Sequence, residues 1–317
     1  MKNFLQKIFG REPNSTEKES PHQPGEIVTA PLSPDQLTPS SSKGHPTQPI
    51  IKLKPEPRFD PPQLIVGLGQ SVGRQREINQ DSIYSFTSTL ASNSSKVPFG
   101  LFIVADGMGG HQHGEVASET AARLMAEHVL KGLYLPLINP NNVTPTQSLQ
   151  EIMKEGVLEA HQAILNKTPD GGTTLTACMI LGRQMTIAHV GDSRAYQVDT
   201  DGTMQVLTRD HSLVRRLEEM GQITSEEAQI HPQRNVLYRA LGQGEPFDPE
   251  IQTHRLPQSG YLLICSDGLW GVVEEKQIAA VISTGAPPQV ICQQLVDMAN
   301  DAGGPDNISL ILVKVSD

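Results

Sequence analysis

The segment Gly172–Leu207, GTTLTACMILGRQMTIAHVGDSRAYQVDTDGTMQVL, decides which fold this chain can adopt. It contains four strand-like runs, GTTLTACMIL, QMTIAHV, RAYQV and TMQVL, separated only by the short connections GR, GDS and DTDG. Connections of this length join antiparallel strands as hairpins. A parallel pair would need a crossover of about a dozen residues. The segment therefore predicts antiparallel strands and excludes a doubly wound parallel sheet as the main architecture.

The sequence on either side of this segment alternates between strand-like and helical patterns. The runs QLIVGLGQ, PFGLFIVA, YLLICS and NISLILVKV predict further strands. Apolar spacing typical of helices covers residues 114–131, 147–166, 212–220, 274–283 and 288–300. Strands with helix pairs at intervals predict an α+β domain in which helices cover antiparallel sheets.

Composition divides the 317 residues into a tail and one folded domain. The part before Gln63 holds 12 of the 24 prolines and a Ser/Thr-rich run, TPSSSKGH, but almost no periodic apolar pattern. Such a segment buries too little apolar surface to offset its chain entropy. We expect residues 1–62 to be a disordered tail and residues 63–317 to be the folded domain.

The predicted domain is the acidic part of a chain with a formal net charge of −10. The tail takes 8 of the 25 basic and 7 of the 35 acidic residues, which leaves 17 basic against 28 acidic residues for the domain. This balance argues against a nucleic-acid partner, and a site for an anionic substrate would need bound cations to offset the field of the domain.

The cysteines and the apolar runs indicate a cytoplasmic protein, and we expect it to be a monomer. Cys178, Cys265 and Cys292 show no CxxC spacing and are expected to be reduced core residues. No run approaches 18 apolar residues, and the first 11 residues, MKNFLQKIFGR, lack the features of a signal peptide. Those 11 residues have two interpretations, a peptide that docks on a membrane surface or the frayed start of the disordered tail.

Several aspartates stand where apolar strands end or begin. Four of them occur in FIVADG, LLICSDG, IAHVGDS and GGPDNISLIL, at Asp106, Asp267, Asp192 and Asp306, and a fifth carboxylate, Asp81, follows the polar run GRQREINQ. Each one alone is explained as a turn cap. Together at one rim they would repel one another, and hard divalent cations such as Mg²⁺ or Mn²⁺ would relieve that repulsion.

Other motifs carry less weight. The spacing of Gly67, Gly69 and Gly73 does not match a dinucleotide-binding loop. His111 and His113 have a spacing that a metal site allows but that polar loop residues also show. In Asp210-His211-Ser212 the side chains are adjacent in sequence and do not reach triad geometry. A cysteine-phosphatase loop, a P-loop and a kinase motif set are absent from the sequence.

The ordered series GRQREINQDS, VADGMGGHQHGEVAS, GTT, HVGDSRAY, LTRDHS, RALG, CSDGLW and GGPDNIS resembles the PP2C-like (PPM) family of metal-dependent serine/threonine protein phosphatases, in its bacterial form. The resemblance runs from about Val66 to Val315. It implies a four-layer α-β-β-α sandwich of two antiparallel sheets flanked by helices, with metals at one end.

The resemblance also implies roles for individual residues. A two-ion centre for Mn²⁺ or Mg²⁺ would be held by Asp81, Asp106, Gly107, Asp267 and Asp306. Asp106 would bridge the two ions, and Asp192 would help to hold a third, weaker ion. Arg76 would grip the substrate phosphate, since its guanidinium matches phosphate oxygens bidentately.

The activity implied is hydrolysis of phosphoserine and phosphothreonine in proteins phosphorylated by a Ser/Thr kinase. Paired divalent ions activate a water molecule for in-line attack, without a covalent phosphoenzyme. Met108 stands where eukaryotic members often have histidine, and Gln80 where many members have glutamate. A mobile flap is expected over residues 212–235. The alternative is a catalytically silent protein that uses the same fold for binding.

Overall fold

The computed structural model describes residues 60–92, 95–109, 112–141, 146–168, 170–244, 247–257 and 259–316. Apart from its last three residues, the predicted disordered tail lies outside these ranges. So do His111 and the proposed membrane-surface peptide. Among the described residues, no helix is long and apolar enough to cross a bilayer.

Eleven strands lie in the described ranges. Their bounds are β1 Gln63–Ser71, β2 Asp81–Ser92, β3 Ser95–Met108, β4 Gly172–Thr173, β5 Leu175–Leu181, β6 Gln184–Val190, β7 Arg194–Val198, β8 Met204–Val206, β9 Glu250–Arg255, β10 Gly260–Cys265 and β11 Ile308–Ser316. They form two sheets, one in the order β1-β11-β10-β7-β8 and one in the order β2-β3-β5-β6-β9, with β4 paired to β3. Every neighbouring pair is antiparallel, as predicted.

Helices cover the outer face of each sheet. Their bounds are α1 Gln112–Val129, α2 Leu135–Ile138, α3 Leu149–Lys167, α4 Leu213–Glu219, α5 Ser225–Ile230, α6 Asp267–Trp270, α7 Glu275–Ile282 and α8 Pro288–Asp301, and a π-helical turn, Leu130–Tyr134, joins α1 to α2. Helices α1 and α3 pack on the sheet that contains β3, whereas α8 packs on β1 and β11 with α7 beside it. The predicted sandwich of two antiparallel sheets flanked by helices is confirmed.

The alternation of side chains along β10 shows how the layers are joined. Leu262 and Ile264 point into the core between the two sheets. Tyr261, Leu263 and Cys265 point the other way, into the core beneath α7 and α8. Full burial of a leucine or isoleucine side chain stabilises the folded state by roughly 1.5–3 kcal/mol. A strand buried on both faces therefore stays apolar throughout, which explains the unbroken run YLLIC.

One connection in the opening segment differs from the hairpin that its length predicts. The GR and DTDG connections do form hairpins, β5–β6 and β7–β8. The connection GDS instead leads from β6 in one sheet to β7 in the other. Gly191 has a φ of +105° in this turn, a conformation that glycine adopts without strain. The turn therefore places Asp192 at the end of the sandwich, where the two sheets meet.

The glycines of the QLIVGLGQ strand serve helix packing. A Cβ atom on Gly67 would lie 2.3 Å from the main-chain carbon of Pro288, and one on Gly69 would lie 2.9 Å from the Val296 side chain. Both contacts belong to α8. The glycines thus allow the helix to approach β1 closely, which agrees with the exclusion of a dinucleotide loop.

Candidate active site

Asp81 and Asp106 come together at one end of a sheet. Asp81 is the first residue of β2 and Asp106 the third-last residue of β3, and the two are register partners in the antiparallel ladder. Side chains of directly opposed residues lie on the same face of a sheet. β3 continues past Asp106 to Met108, so this aspartate lies within the strand instead of at its end.

The GTT motif fixes the main chain of Asp106. Its N–H donates to Thr174 Oγ1 at 2.9 Å, and its carbonyl accepts from Thr173 Oγ1 and from the Thr174 N–H, each at 2.8 Å. A Cβ atom on Gly107 would lie 2.2 Å from the Gly114 carbonyl oxygen. The Asp-Gly pair therefore needs glycine because α1 begins directly against it.

The opposite sheet supplies Asp267 and Asp306. Asp267 begins α6 directly after β10, and Asp306 precedes β11. Ser266 joins the two sheets, because its hydroxyl donates to Asp81 Oδ2 at 2.9 Å and accepts from the Ser309 N–H at 3.0 Å. The structure thus brings together aspartates that are far apart in sequence.

Asn307 holds the loop that precedes Asp81. Its Oδ1 accepts from the Gln80 N–H at 2.8 Å, and its Nδ2 donates to the carbonyls of Val72 and Ile78, each at 2.9 Å. Asp306 Oδ1 accepts from the Asn307 N–H at 2.8 Å. One asparagine therefore ties the loop bearing Arg76 to the loop bearing Asp306. Sequence reasoning missed this residue, although it lies in the GGPDNIS motif.

Burial and mutual repulsion raise the pKa values of these aspartates. Burial raises the pKa of Asp81 to about 7, and the nearby Asp267 and Asp306 add to this. The pKa of Asp267 rises to about 6, first because of burial and then because of Asp306. Burial and the neighbouring Asp81 and Asp267 raise the pKa of Asp106 well above its ordinary value.

Two oxygens of this group lack hydrogen-bond partners. Asp81 Oδ1 and Asp267 Oδ1 are both buried and unpaired. Buried acceptors without partners are costly, and oxygen donors of this kind suit hard divalent cations. No group of three or more His, Cys, Asp or Glu side chains that could hold a metal ion is formed in the part of the chain that the structure describes. The carboxylates therefore lie close together and have the oxygen donors that divalent cations prefer, but their side chains do not converge on a single coordination site.

Arg76 contacts Asp306. Its Nη2 donates to Asp306 Oδ2 at 2.7 Å, and about half of the arginine side chain is exposed. Asp306 raises the pKa of Arg76 by hydrogen bonding and charge. Arg76, the predicted phosphate-binding residue, is thus hydrogen-bonded to Asp306, a predicted metal ligand, at the rim of the cluster of aspartates.

Asp192 lies next to this group. It is buried in the GDS turn, and burial, together with the charges of Asp267 and Asp210, raises its pKa well above the ordinary value. The indole N–H of Trp270 donates to the Asp192 carbonyl at 3.0 Å. The predicted site residues therefore all meet at one end of the sandwich.

The residues of Asp210-His211-Ser212 point to different partners. Asp210 binds Arg194 through both carboxylate oxygens, and His211 Nδ1 accepts from the Gly191 N–H at 3.1 Å. Ser212 caps the N-terminus of α4, where its hydroxyl accepts from the Arg215 N–H. These residues are structural and do not form a catalytic triad.

Comparison with known proteins gives one consistent family. The family model described as Protein phosphatase 2C matches residues 67–308. Serine/threonine phosphatase stp of Listeria innocua is 39% identical over 246 residues, which are 76% of this chain and 92% of that protein. Protein phosphatase PhpP of Streptococcus pneumoniae is 32% identical over 262 residues, which are 80% of this chain and 98% of that protein.

Solved structures agree with the sequence matches. The serine/threonine phosphatase of S. agalactiae superposes with a TM-score of 0.66 at 34% identity, covering 80% of this chain and all of that one. The catalytic domain of the phosphatase PstP, solved with 2 manganese ions, has a TM-score of 0.65 at 28% identity and covers 80% of this chain and 100% of that one. The chain belongs to the protein phosphatase 2C family.

Proposed function

We propose that this protein hydrolyses phosphoserine and phosphothreonine in other proteins with the aid of two divalent cations, Mn²⁺ or Mg²⁺. The observation that carries the proposal is the group of aspartates that the two sheets bring to one end of the sandwich, with unpaired buried oxygens on Asp81 and Asp267. The phosphatase PstP, a structural relative, was solved with 2 manganese ions.

The residues proposed to hold the two cations are Asp81, Asp106, Gly107, Asp267 and Asp306. Asp192 would contribute to a third, weaker site. Bound divalent cations would supply an activated water for attack on phosphorus and would offset the negative charge of the substrate. The oxygen-only donor set fits this chemistry, since carboxylate and carbonyl ligands suit Mg²⁺ and Mn²⁺.

The chain itself would supply orientation and phosphate binding. Thr173, Thr174 and Asn307 keep the Asp106 main chain and the Arg76 loop in place through the hydrogen bonds described above. Arg76 would exchange its contact with Asp306 for two phosphate oxygens, which its planar fork matches. Met108 has no proton to donate, so the proton for the leaving hydroxyl would have to come from water or from another group.

The proposal also covers the bounds of the domain, its substrates and the segment that would contact them. We propose residues 63–317 as the phosphatase domain of a monomeric cytoplasmic protein. Its substrates would be phosphoproteins made by a partner Ser/Thr kinase. The segment 212–235, which contains α4 and α5, would act as the flap that contacts them.

Hydrolysis of a phosphothreonine peptide tests the proposal. Turnover is measured with Mn²⁺ and with a chelator, for wild type, Asp267→Asn and the control Asp297→Asn, which changes an exposed aspartate on α8. We expect Mn²⁺-dependent turnover in wild type and Asp297→Asn, and its loss in Asp267→Asn with an unchanged circular dichroism spectrum. A wild type that binds Mn²⁺ without turnover would instead identify a silent binding protein of the same fold.

A further inference from the structure

The single tryptophan of the chain, Trp270, contacts the turn that carries Asp192. Its indole N–H donates to the Asp192 main-chain carbonyl at 3.0 Å. Trp270 is the last residue of α6, and Asp267 is the first residue of the same helix. The indole is therefore a direct link between the main chain of Asp192 and the one-turn helix that bears Asp267.

Arg194 holds the indole in place from one face. Its guanidinium carbon lies 3.6 Å from the centroid of the Trp270 ring. A planar guanidinium stacks on an aromatic face in a way that an ammonium group does not. The position of the indole N–H is thus set by the position of this arginine.

Arg194 is fixed in turn by Asp210 and Tyr196. Its Nε donates to Asp210 Oδ1 at 3.0 Å and its Nη2 to Asp210 Oδ2 at 2.7 Å, and its Nη1 donates to the Tyr196 hydroxyl at 3.2 Å. The Asp210 carboxylate is buried and the Arg194 side chain is mostly so. All three guanidinium nitrogens donate hydrogen bonds, so the stacked geometry has little freedom.

We propose that Trp270 and Arg194 are positioning residues that fix the Asp192 turn relative to Asp267, so that the Asp192 carboxylate keeps the orientation in which it binds a divalent cation. The inference rests on the proposed function, because it takes Asp192 as a cation ligand. Neither Trp270 nor Arg194 would touch the cation or the substrate. Partners outside the ligand set commonly change metal affinity by roughly 10–100-fold when they are altered.

Binding of Mn²⁺ alone to the full chain tests this proposal. Mn²⁺ binding is measured by calorimetry and electron paramagnetic resonance for wild type, Asp192→Asn, Trp270→Phe and Arg194→Lys. Phenylalanine keeps an aromatic ring but loses the N–H donor, and lysine keeps the charge but loses the fork. Ile152→Val, which removes a buried methylene group in α3, is the control for a general loss of stability.

We expect Asp192→Asn to abolish the weakest Mn²⁺ binding event. Trp270→Phe and Arg194→Lys should each weaken that same event by about 10-fold or more, while the tighter Mn²⁺ binding and the Ile152→Val control stay at wild-type values. Arg194→Lys retains Trp270, so a shift in its fluorescence emission would show that the indole has moved.

Three results would overturn the inference. Wild-type affinity at the Asp192-dependent site in both positioning variants would show that the link is not needed. Equal weakening of all Mn²⁺ binding, in step with a lower melting temperature, would show a structural role only. Unchanged Mn²⁺ binding in Asp192→Asn would show that Asp192 is not a ligand. A wild type without any Mn²⁺ binding is a different outcome, which would count against the proposed function itself.

Discussion

Asp81 and Asp106 are directly opposed register partners in the antiparallel pair β2–β3, with their side chains on one face of the sheet. Like charges in directly opposed positions destabilise a sheet. Here Asp267, from the opposite sheet, adds to the repulsion on both. The protein therefore keeps a locally unfavourable arrangement at this end of the sandwich, which bound cations would relieve.

Replacing one of the opposed carboxylates should stabilise the cation-free protein. We expect Asp106→Asn to raise the free energy of unfolding in a chelator by ~1 kcal/mol at alkaline pH, because a buried carboxylate and its repulsion with Asp81 are removed. The same variant should lose the rise in melting temperature that Mn²⁺ gives the wild type, since cations that bind only the folded state stabilise it. Thermal unfolding with and without Mn²⁺ measures both effects. A variant less stable than wild type in chelator would show that Asp106 makes a net favourable contribution without cations.

The cation-free protein should lose stability as the pH rises toward 7. Burial raises the pKa of Asp81 to about 7 and that of Asp267 to about 6, whereas an unfolded aspartate has a pKa of about 3.9. Between these values the folded state holds more protons than the unfolded state, so the free energy of unfolding falls as pH increases. The stabilising contribution is complete below about pH 4 and is lost as pH rises through 6 to 7.

Urea unfolding in a chelator across this range measures the slope. His189 acts in the opposite sense, because burial lowers its pKa to about 4 and its contribution grows as pH rises from there. The difference between wild type and Asp81→Asn cancels the histidine contribution and isolates the carboxylate. A difference that does not change with pH would contradict the shifted pKa of Asp81.

Arg76 should contribute more to kcat/KM for the substrate than to the affinity for Mn²⁺. Arg76→Lys keeps a positive charge beside Asp306 but loses the bidentate geometry that phosphate oxygens require. We expect kcat/KM for a phosphothreonine peptide to fall by about 10–100-fold, the range for losing one hydrogen bond to a charged group. Mn²⁺ affinity should stay within a factor of about three. Equal losses in Mn²⁺ affinity and kcat/KM would place Arg76 among the groups that organise the cation site instead.

Asn307 should be essential for the shape of the site. Asn307→Ala removes three side-chain hydrogen bonds to the main chain of the loop before Asp81. We expect a loss of ~2–4 kcal/mol in the free energy of unfolding, since about 1 kcal/mol is lost per bond and the freed groups are partly buried. The matched control is Asn300→Ala, whose side chain bonds Ser71 and Val296 instead. Only Asn307→Ala should also abolish Mn²⁺ stabilisation, and similar Mn²⁺ responses in both variants would contradict this.

Local sequence signals predicted most of the secondary structure. The short connections GR and DTDG predicted two hairpins, and the apolar runs predicted the buried strands. The helix α5 was missed because its residues are polar, although Thr224 and Glu227 form a capping box that marks its start. A short polar helix on the surface has no buried stripe from which to recognise it.

Relations between distant residues could not be predicted from local patterns. The GDS connection has hairpin length, and nothing local shows that it passes between sheets. The Asn307 contacts span more than 220 residues of sequence. The contact between Arg76 and Asp306 likewise depends on how two loops pack, which only the assembled sandwich determines.

Gly268 provides the last prediction, because its position leaves no room for a side chain. A Cβ atom there would lie 1.9 Å from the Asn307 carbonyl oxygen, which is main chain and cannot rotate away. Alanine would otherwise be favoured over glycine in a helix by about 1 kcal/mol. We expect the clash to outweigh this gain, so that Gly268→Ala lowers the free energy of unfolding by ~3 kcal/mol or more and separates Asp267 from the Asp306 loop.

Gly285→Ala is the matched control, since it has a φ of +71° and no atoms within 4 Å of the added Cβ. It should cost only the ~1–2 kcal/mol of a left-handed residue and leave Mn²⁺ stabilisation intact. Urea unfolding and Mn²⁺-induced shifts in melting temperature of both variants measure this, and a Gly268→Ala protein as stable and as responsive to Mn²⁺ as wild type would show that α6 can move away from Asn307 without disturbing the site.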